Sequence, residues 1–445
     1  MPATDLSHDD DAAVSARPGI ARLAAASSVG TTLEWYDFTV YNVMAAVVFG
    51  RVFFPSFDPM VGTLLSFSTY AVGYLSRPFG GFVFGHLGDR RGRRFVLVTT
   101  LVLMGAASAL MGLLPAYRTL GVWSPLLLVL LRFAQGAAIG GEWAGAVLLS
   151  VEHGASNRRG RNGSFAQMGP ACGTILGTAV VAAISLTLSP SAFDEWGWRI
   201  PFLLSLGLVG FGLWLRTRVE ETPTFVELES RGETAKTPVM DVLRHHVRPL
   251  LTSIGARAGP DVLYALLVVF TLTYVTAVLR LSRPLALSAT MVGAACHACA
   301  IPFFGALSDR VGRRPVYAAG ALLSIGWVYV YFILMDTRRS LLIGLAVAGG
   351  MVLHAMMYGP QAAFITEQFP PRVRYAGSSL AYTLTGVVAG GFAPLIFTAL
   401  YRAYASTLRL SLYVAVALVL TLIALWSARE TYEPSPAGSP PLSVT

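Results

Sequence analysis

GHLGDRRGRR, at Gly85–Arg94, returns 220 residues later as GALSDRVGRR, at Gly305–Arg314. Each copy closes one apolar run and opens the next, so a short basic loop stands twice between candidate membrane spans. A second pair of stretches answers in the same way: EHGASNRRGRNGS at Glu152–Ser164 and EQFPPRVRYAGSS at Glu367–Ser379. Both set a glutamate at the end of an apolar run, then arginines, then Gly-Ser opening the next run. The chain therefore reads as two related halves of six spans each. Parallel repeats of this kind place a solute site between the halves, near the membrane midplane.

Composition agrees. Of 445 residues 54% are hydrophobic and only 13% charged, about half the charged share of a soluble domain, and the mean hydropathy is +0.61. A span needs about 20 apolar residues. Apolar runs give twelve spans, at about 24–49, 62–86, 95–115, 125–152, 163–187 and 199–217, then 250–279, 285–308, 315–335, 340–366, 375–401 and 408–428. The expected fold is an all-α polytopic membrane protein of two six-helix bundles, 23–217 and 249–428. A polar linker at 218–248 joins them, and disordered tails lie at 1–22 and 429–445. The first twenty residues hold no apolar core for a signal peptide.

Charge sets the orientation. With both termini in the cytoplasm, 21 of the 33 Lys and Arg fall on that side, Arg216 among them, and nine fall outside. The positive-inside rule demands this bias, which also accounts for the net charge of +9 without a nucleic-acid partner. The expected location is the plasma (inner) membrane, as a monomer. No Gly-rich phosphate loop, zinc motif or nucleophile elbow is present, so no enzyme is expected. Cys172, Cys296 and Cys299 lie in apolar runs. His297 between the last two supplies at most part of a zinc shell, and no metal or cofactor is expected.

Three arginines, Arg77, Arg132 and Arg257, lie inside spans. Ionisable groups there cost several kcal/mol unless they pair or face a wet cavity. Glu34 and Asp37 share one face of span one, with Tyr41 a turn further, and suit a group that binds and releases a proton. Candidate solute contacts are Tyr41, Gln135 and Gln167 from the first half. The second half offers Arg257, Asp261, Tyr264, His354, Tyr358, Gln361 and Tyr382. Arginine forks match carboxylates, so Arg132 and Arg257 favour a solute bearing one. Asp261, one turn from Arg257, either neutralises it or takes the cationic end of a zwitterion.

Arg77 and His297 each precede the glycine of their basic loop by eight residues. Arg77 is expected to snorkel or pair near the cytoplasmic face, His297 to be simply hydrogen-bonded, and Glu142 to face the cavity. Small residues at Gly169, Gly173 and Gly177 let helices approach closely, and Gly386, Gly390 and Gly391 are expected to do the same. The basic loops, with Gly85, Asp89, Arg90, Gly92, Arg93 and Arg94 in one and Gly305, Asp309, Arg310, Gly312, Arg313 and Arg314 in the other, suit a conformational latch of charge pairs.

The paired G-x3-D-R-x-G-R-R loops resemble the signature of the major facilitator superfamily. GTTLEWYDFTVYN (Gly30–Asn42), SRPFGG (Ser76–Gly81) and YGPQAAFITEQFPPRVRYAGSSLAYTL (Tyr358–Leu384) further resemble its metabolite:proton symporter branch. That branch includes carriers of proline and betaine, shikimate, 2-oxoglutarate and citrate. The resemblance implies uptake of a small polar metabolite with a proton as coupling ion, by alternating access. It also implies, from the superfamily's sugar carriers, that Asp37 and Arg132 form a proton-coupling pair, with Glu34 the competing site. GSFAQMGPACG (Gly163–Gly173) partly resembles the antiporter signature of drug exporters. The competing expectations are therefore proton-coupled export of an amphipathic compound, or a non-transporting sensor on the same scaffold.

Overall fold

A computed structural model of the chain describes residues 20–55, 65, 69 and 71–432. The expected tails, apart from residues near their inner ends, and the start of the second span lie outside the described residues. Among the described residues ten helices are long and apolar enough to cross a membrane: α3 (Arg93–Leu113), α4 (Trp123–His153), α5 (Arg159–Thr187), α6 (Gly197–Thr217), α7 (Val247–Val278), α8 (Arg283–Val311), α9 (Arg313–Asp336), α10 (Ser340–Glu367), α11 (Pro371–Tyr404) and α12 (Thr407–Ser427). Two more complete the bundle: α1 (Ile20–Val47), which carries Glu34 and Asp37, and α2, described in full over Arg77–Arg91.

The basic loops are not loops. Helix α2 continues to Arg91 and α3 starts at Arg93, while α8 continues to Val311 and α9 starts at Arg313. One residue makes each turn: Gly92 at φ +98° and Gly312 at φ +108°. Only glycine adopts that backbone without strain, so the motif's glycine compresses a hairpin into a hinge. The linker is likewise more ordered than its polarity implies. It folds into two short helices, Pro223–Ser230 and Pro238–His245.

Gly173 faces α1 so closely that a side-chain carbon there would stand 2.6 Å from Trp35 Cβ, as expected of a small-residue stripe. The second glycine set departs from expectation. Gly386–Gly391 forms a π-helical turn, and among the described residues nothing stands within 4 Å of where a Gly386 side chain would begin and Gly390 has only Asp261, at 3.8 Å. These glycines widen the space over Asp261 rather than tightening a helix contact. Helix α7 holds two further π turns, Ala265–Phe270 and Tyr274–Val278, a deformation concentrated where helices serve function.

Candidate substrate and proton site

In the first half, Asp37 and Arg132 do not touch. Ser205 of α6 donates to the Asp37 carboxylate. Arg132 donates to Gln135 Oε1 at 2.5 Å, and Gln135 donates to Ser108 at 2.8 Å. Ser108 stands beside Asp37, so the pair implied by the family likeness is here a relay through an amide and a hydroxyl. Gln135 is a link in that relay. Tyr41 is fully buried, bonded to Thr69 and covered by the Arg132 guanidinium at 3.9 Å from its ring centroid. It supports Arg132 and presents no free surface to a solute.

Glu142 is fully buried and paired. It accepts from Arg216 of α6, which also donates to the Leu97 carbonyl, and Gly30 on α1 leaves the room this guanidinium occupies. Arg216 is only 2% exposed. It is not a cytoplasmic charge: its α-carbon stands near the helix end while its side chain runs back into the bundle. Arg77 is also misjudged by its sequence position. Its guanidinium lies 4.1 Å from the Tyr74 ring centroid, 4.9 Å from Phe38 and 6.0 Å from Trp35, inside the bundle at 4% exposure. Glu34, 2% exposed, keeps Oε2 without a hydrogen-bond partner among the described residues.

The two halves meet in a stack. Trp143 of α4 lies face to face with Tyr382 of α11, centroids 4.2 Å apart, and Arg257 of α7 covers the other ring at 3.3 Å. Arg257 Nε donates to both Asp261 oxygens at 2.9 and 3.1 Å, while its Nη1 is buried without a partner among the described residues. Beneath the stack Trp143 donates to Gln167 at 2.7 Å, and Gln167 donates across to the Tyr358 carbonyl at 3.2 Å. His297 and His354 share a hydrogen bond of 2.8 Å, packed against Tyr264 and Tyr358. Gln361 is drawn aside to the Tyr317 hydroxyl at 2.7 Å and helps hold α10 to α9. Among the described residues no cluster of His, Cys, Asp or Glu suits a metal ion.

At the face carrying the basic turns, each aspartate caps a helix of the opposite half. Asp89 accepts from the Tyr375 and Ala376 amides at 3.2 and 2.9 Å. Asp309 accepts from Gly160 and Arg161, both at 2.8 Å. A carboxylate on free N–H groups at a helix start is favourable in charge and in hydrogen bonding. Arg93 lies 3.3 Å from Asp89, and Arg313 2.6 Å from Asp309. Arg94 and Arg314 tie to the carbonyls of Thr217 and Trp426, while Arg90 and Arg310 stay exposed. Sequence reading missed the next layer: Glu221 caps α3 at the Arg93 and Arg94 amides, and Glu430 caps α9 at those of Arg313 and Arg314. Their signal was present, since each stands in a Glu-Thr pair just after span six or span twelve.

This architecture has known counterparts. A family model described as Sugar (and other) transporter matches residues 23–245, and one described as Major Facilitator Superfamily matches residues 262–443. The Escherichia coli shikimate transporter is 39% identical over 86% of this chain and 88% of its own length. The chain belongs to the major facilitator superfamily. As a member of it, the protein is a multi-pass membrane transporter of metabolites and not an enzyme. The E. coli proline/betaine transporter is 34% identical over 94% of this chain and 85% of its own. The proton:xylose symporter XylE shares the fold at a TM-score of 0.75 and 18% identity, covering 93% of this chain and 96% of that one. Its inward-open form matches at 0.61.

Proposed function

We propose that this superfamily member is a proton-coupled symporter that takes up a small metabolite bearing a carboxylate, by alternating access of the two halves. Arg257 carries the reading. Its Nη1 is buried and has no partner among the described residues beside the Trp143–Tyr382 stack that joins the halves, a position from which a guanidinium can fork a carboxylate. The Glu34–Asp37 face of α1 supplies the proton site, with the relay to Arg132 through Gln135 holding Asp37 in place. Candidate contacts around the solute are Asp261, Tyr264, Tyr358 and His354, with Gln167 closing the floor. The proton is the coupling ion, with no resident cofactor. The face of the basic turns is cytoplasmic, with both termini, in the inner membrane, and the carrier acts as a monomer. The buried arginines weigh against export of an amphipathic compound.

A monoanion travelling with one proton moves no net charge and gains only the pH gradient, about 1.4 kcal/mol or tenfold per unit. A zwitterion with one proton adds about 2.3 kcal/mol per 100 mV. The test is medium pH in lightly buffered, de-energised cells given proline, betaine, shikimate, 2-oxoglutarate or citrate. Alkalinisation by a carboxylate, absent from vector controls, is the expected result. Acidification, or silence with every member of the panel, overturns the reading.

A further inference from the structure

Arg77 is the interior arginine without an assigned counter-charge. Glu142 neutralises Arg216 and Asp261 neutralises Arg257, while Arg132 is joined to Asp37 by the Gln135–Ser108 relay. Among the described residues Arg77 packs on the π faces of Trp35, Phe38 and Tyr74, and its buried Nε has no hydrogen-bond partner there. A ring face attracts a cation but leaves its charge in place. The carboxylates whose charge reaches Arg77 are Glu34 of α1 and Asp261 of α7, and the Tyr382 hydroxyl of α11 is within the same range. Asp261 already serves Arg257.

Glu34 is the complementary group: its Oε2 has no hydrogen-bond partner among the described residues, and unlike Glu142, whose Oε2 is also unpartnered, it has no described ion pair. The charges facing it are Arg77 from α2, Glu142 from α4, Arg216 from α6 and Asp37 from its own helix, with Tyr382 from α11. Above the latch the described interior therefore holds four arginines (Arg77, Arg132, Arg216 and Arg257) and four carboxylates (Glu34, Asp37, Glu142 and Asp261). Fully ionised, they cancel. A proton on Glu34 leaves one positive charge uncompensated, and of the four arginines Arg77 is the one with no other counter-ion.

We propose that Arg77 anchors the solute carboxylate on the first half and that Glu34 is the group that carries the transported proton, so that each event requires the other. This rests on the proposed carboxylate symport and deepens it. Protonation of Glu34 removes the carboxylate that balances Arg77, and the solute anion takes over that balance. Arg257 Nη1, also in range of Asp261 and Tyr382, offers the anion a second donor from the opposite half, so a bound carboxylate draws the halves together. One excess positive charge fits a monoanion, with no net charge moved per cycle.

The experiment uses the full chain in proteoliposomes, with radiolabelled shikimate as the monoanionic probe and radiolabelled betaine as the zwitterionic one. Wild type is expected to move shikimate, with an exchange KM that rises as pH rises from 5.5 to 8. Arg77→Gln should raise that KM at least thirtyfold, and Arg77→Lys should recover part of the loss. Glu34→Gln should lose accumulation against a gradient and flatten the KM–pH profile. Monodispersity and Tm, measured on each variant, separate misfolding from altered recognition. A folded Arg77→Gln with wild-type KM, a Glu34→Gln that keeps the pH profile, or transport of betaine without shikimate overturns the inference while leaving symport standing. A wild type that moves neither probe overturns both.

Discussion

The two basic turns have nearly the same sequence and make the same first contact, yet the seams they close are built differently. On the seam of α2, α3 and α4 with α11, the Asp89 cap is reinforced by Tyr375, whose hydroxyl donates to the Gly141 carbonyl at 2.7 Å, and by Ser379, which donates to Gly140 at 2.9 Å. Arg374 reaches across to Glu152 at 3.4 Å, and Arg93 reaches the Pro371 carbonyl at 3.4 Å. On the seam of α5 with α8 and α10, the described hydrogen bonds between halves are those of Asp309 and that of Gln167 to Tyr358. There Arg313 pairs with Glu367 of its own half, as Arg93 does with Glu152 on the first seam, and Thr431 also caps Glu367. A repeated motif thus gives one redundant seam and one whose described cross-half hydrogen bonds come from two side chains, of which Asp309 alone lies at the basic face.

That contrast can be broken directly. Asp309→Ala should have the largest effect. It removes two charge-assisted hydrogen bonds, each worth about 1.5–3 kcal/mol, from the seam with little else. The expected shift is tenfold or more toward opening at the basic face, read as maleimide labelling of a cysteine placed at Ser164 in a cysteine-free background. Asp89→Ala should shift the same equilibrium only a few-fold, because Tyr375, Ser379 and Arg374 remain. Equal effects of the two alanines would refute the asymmetry.

Tyr375→Phe alone should cost about 1 kcal/mol, a typical net hydrogen bond, or roughly fivefold in the same assay. Combined with Asp89→Ala it should exceed the sum of the single effects, as coupled neighbours do, and simple additivity would deny redundancy. The smallest effect is expected at the linker. Burial raises the Asp241 carboxyl, but hydrogen bonds from Arg372 and His245 outweigh it and hold the group below the usual carboxylate value of 3.8. A depressed value means the contact is fully present above that value and lost as pH falls below it. Uptake in Asp241→Asn should therefore keep the wild-type pH profile between pH 5 and 8, with at most a small drop in rate.

Much of this molecule is visible in its sequence. The span count, the six-plus-six repeat and the paired basic turns follow from apolar runs and repeated motifs, because hydrophobic length and turn chemistry act locally. The interior charges were harder to read. Arg216 looked cytoplasmic and Arg77 looked like a snorkelling side chain, since position along a helix gives the depth of an α-carbon and not the direction a long side chain takes. Asp37 and Arg132 were rightly brought to one neighbourhood, but the amide and hydroxyl between them belong to other turns and helices. The glycines of α11 were misjudged because a π turn cannot be told from a packing stripe by spacing alone.

What the chain's order of residues determined by itself is a twelve-span superfamily fold with paired hinges at Gly92 and Gly312, because membrane insertion and backbone strain are properties of short segments. Which arginine meets which carboxylate was decided only in the assembled bundle. Arg257 found Asp261 one turn away on its own helix, Arg216 crossed from α6 to Glu142 on α4, and Arg77 was left among rings. Charges buried away from water are settled by whichever partner the packed helices bring within reach, and that partner can lie anywhere along the chain.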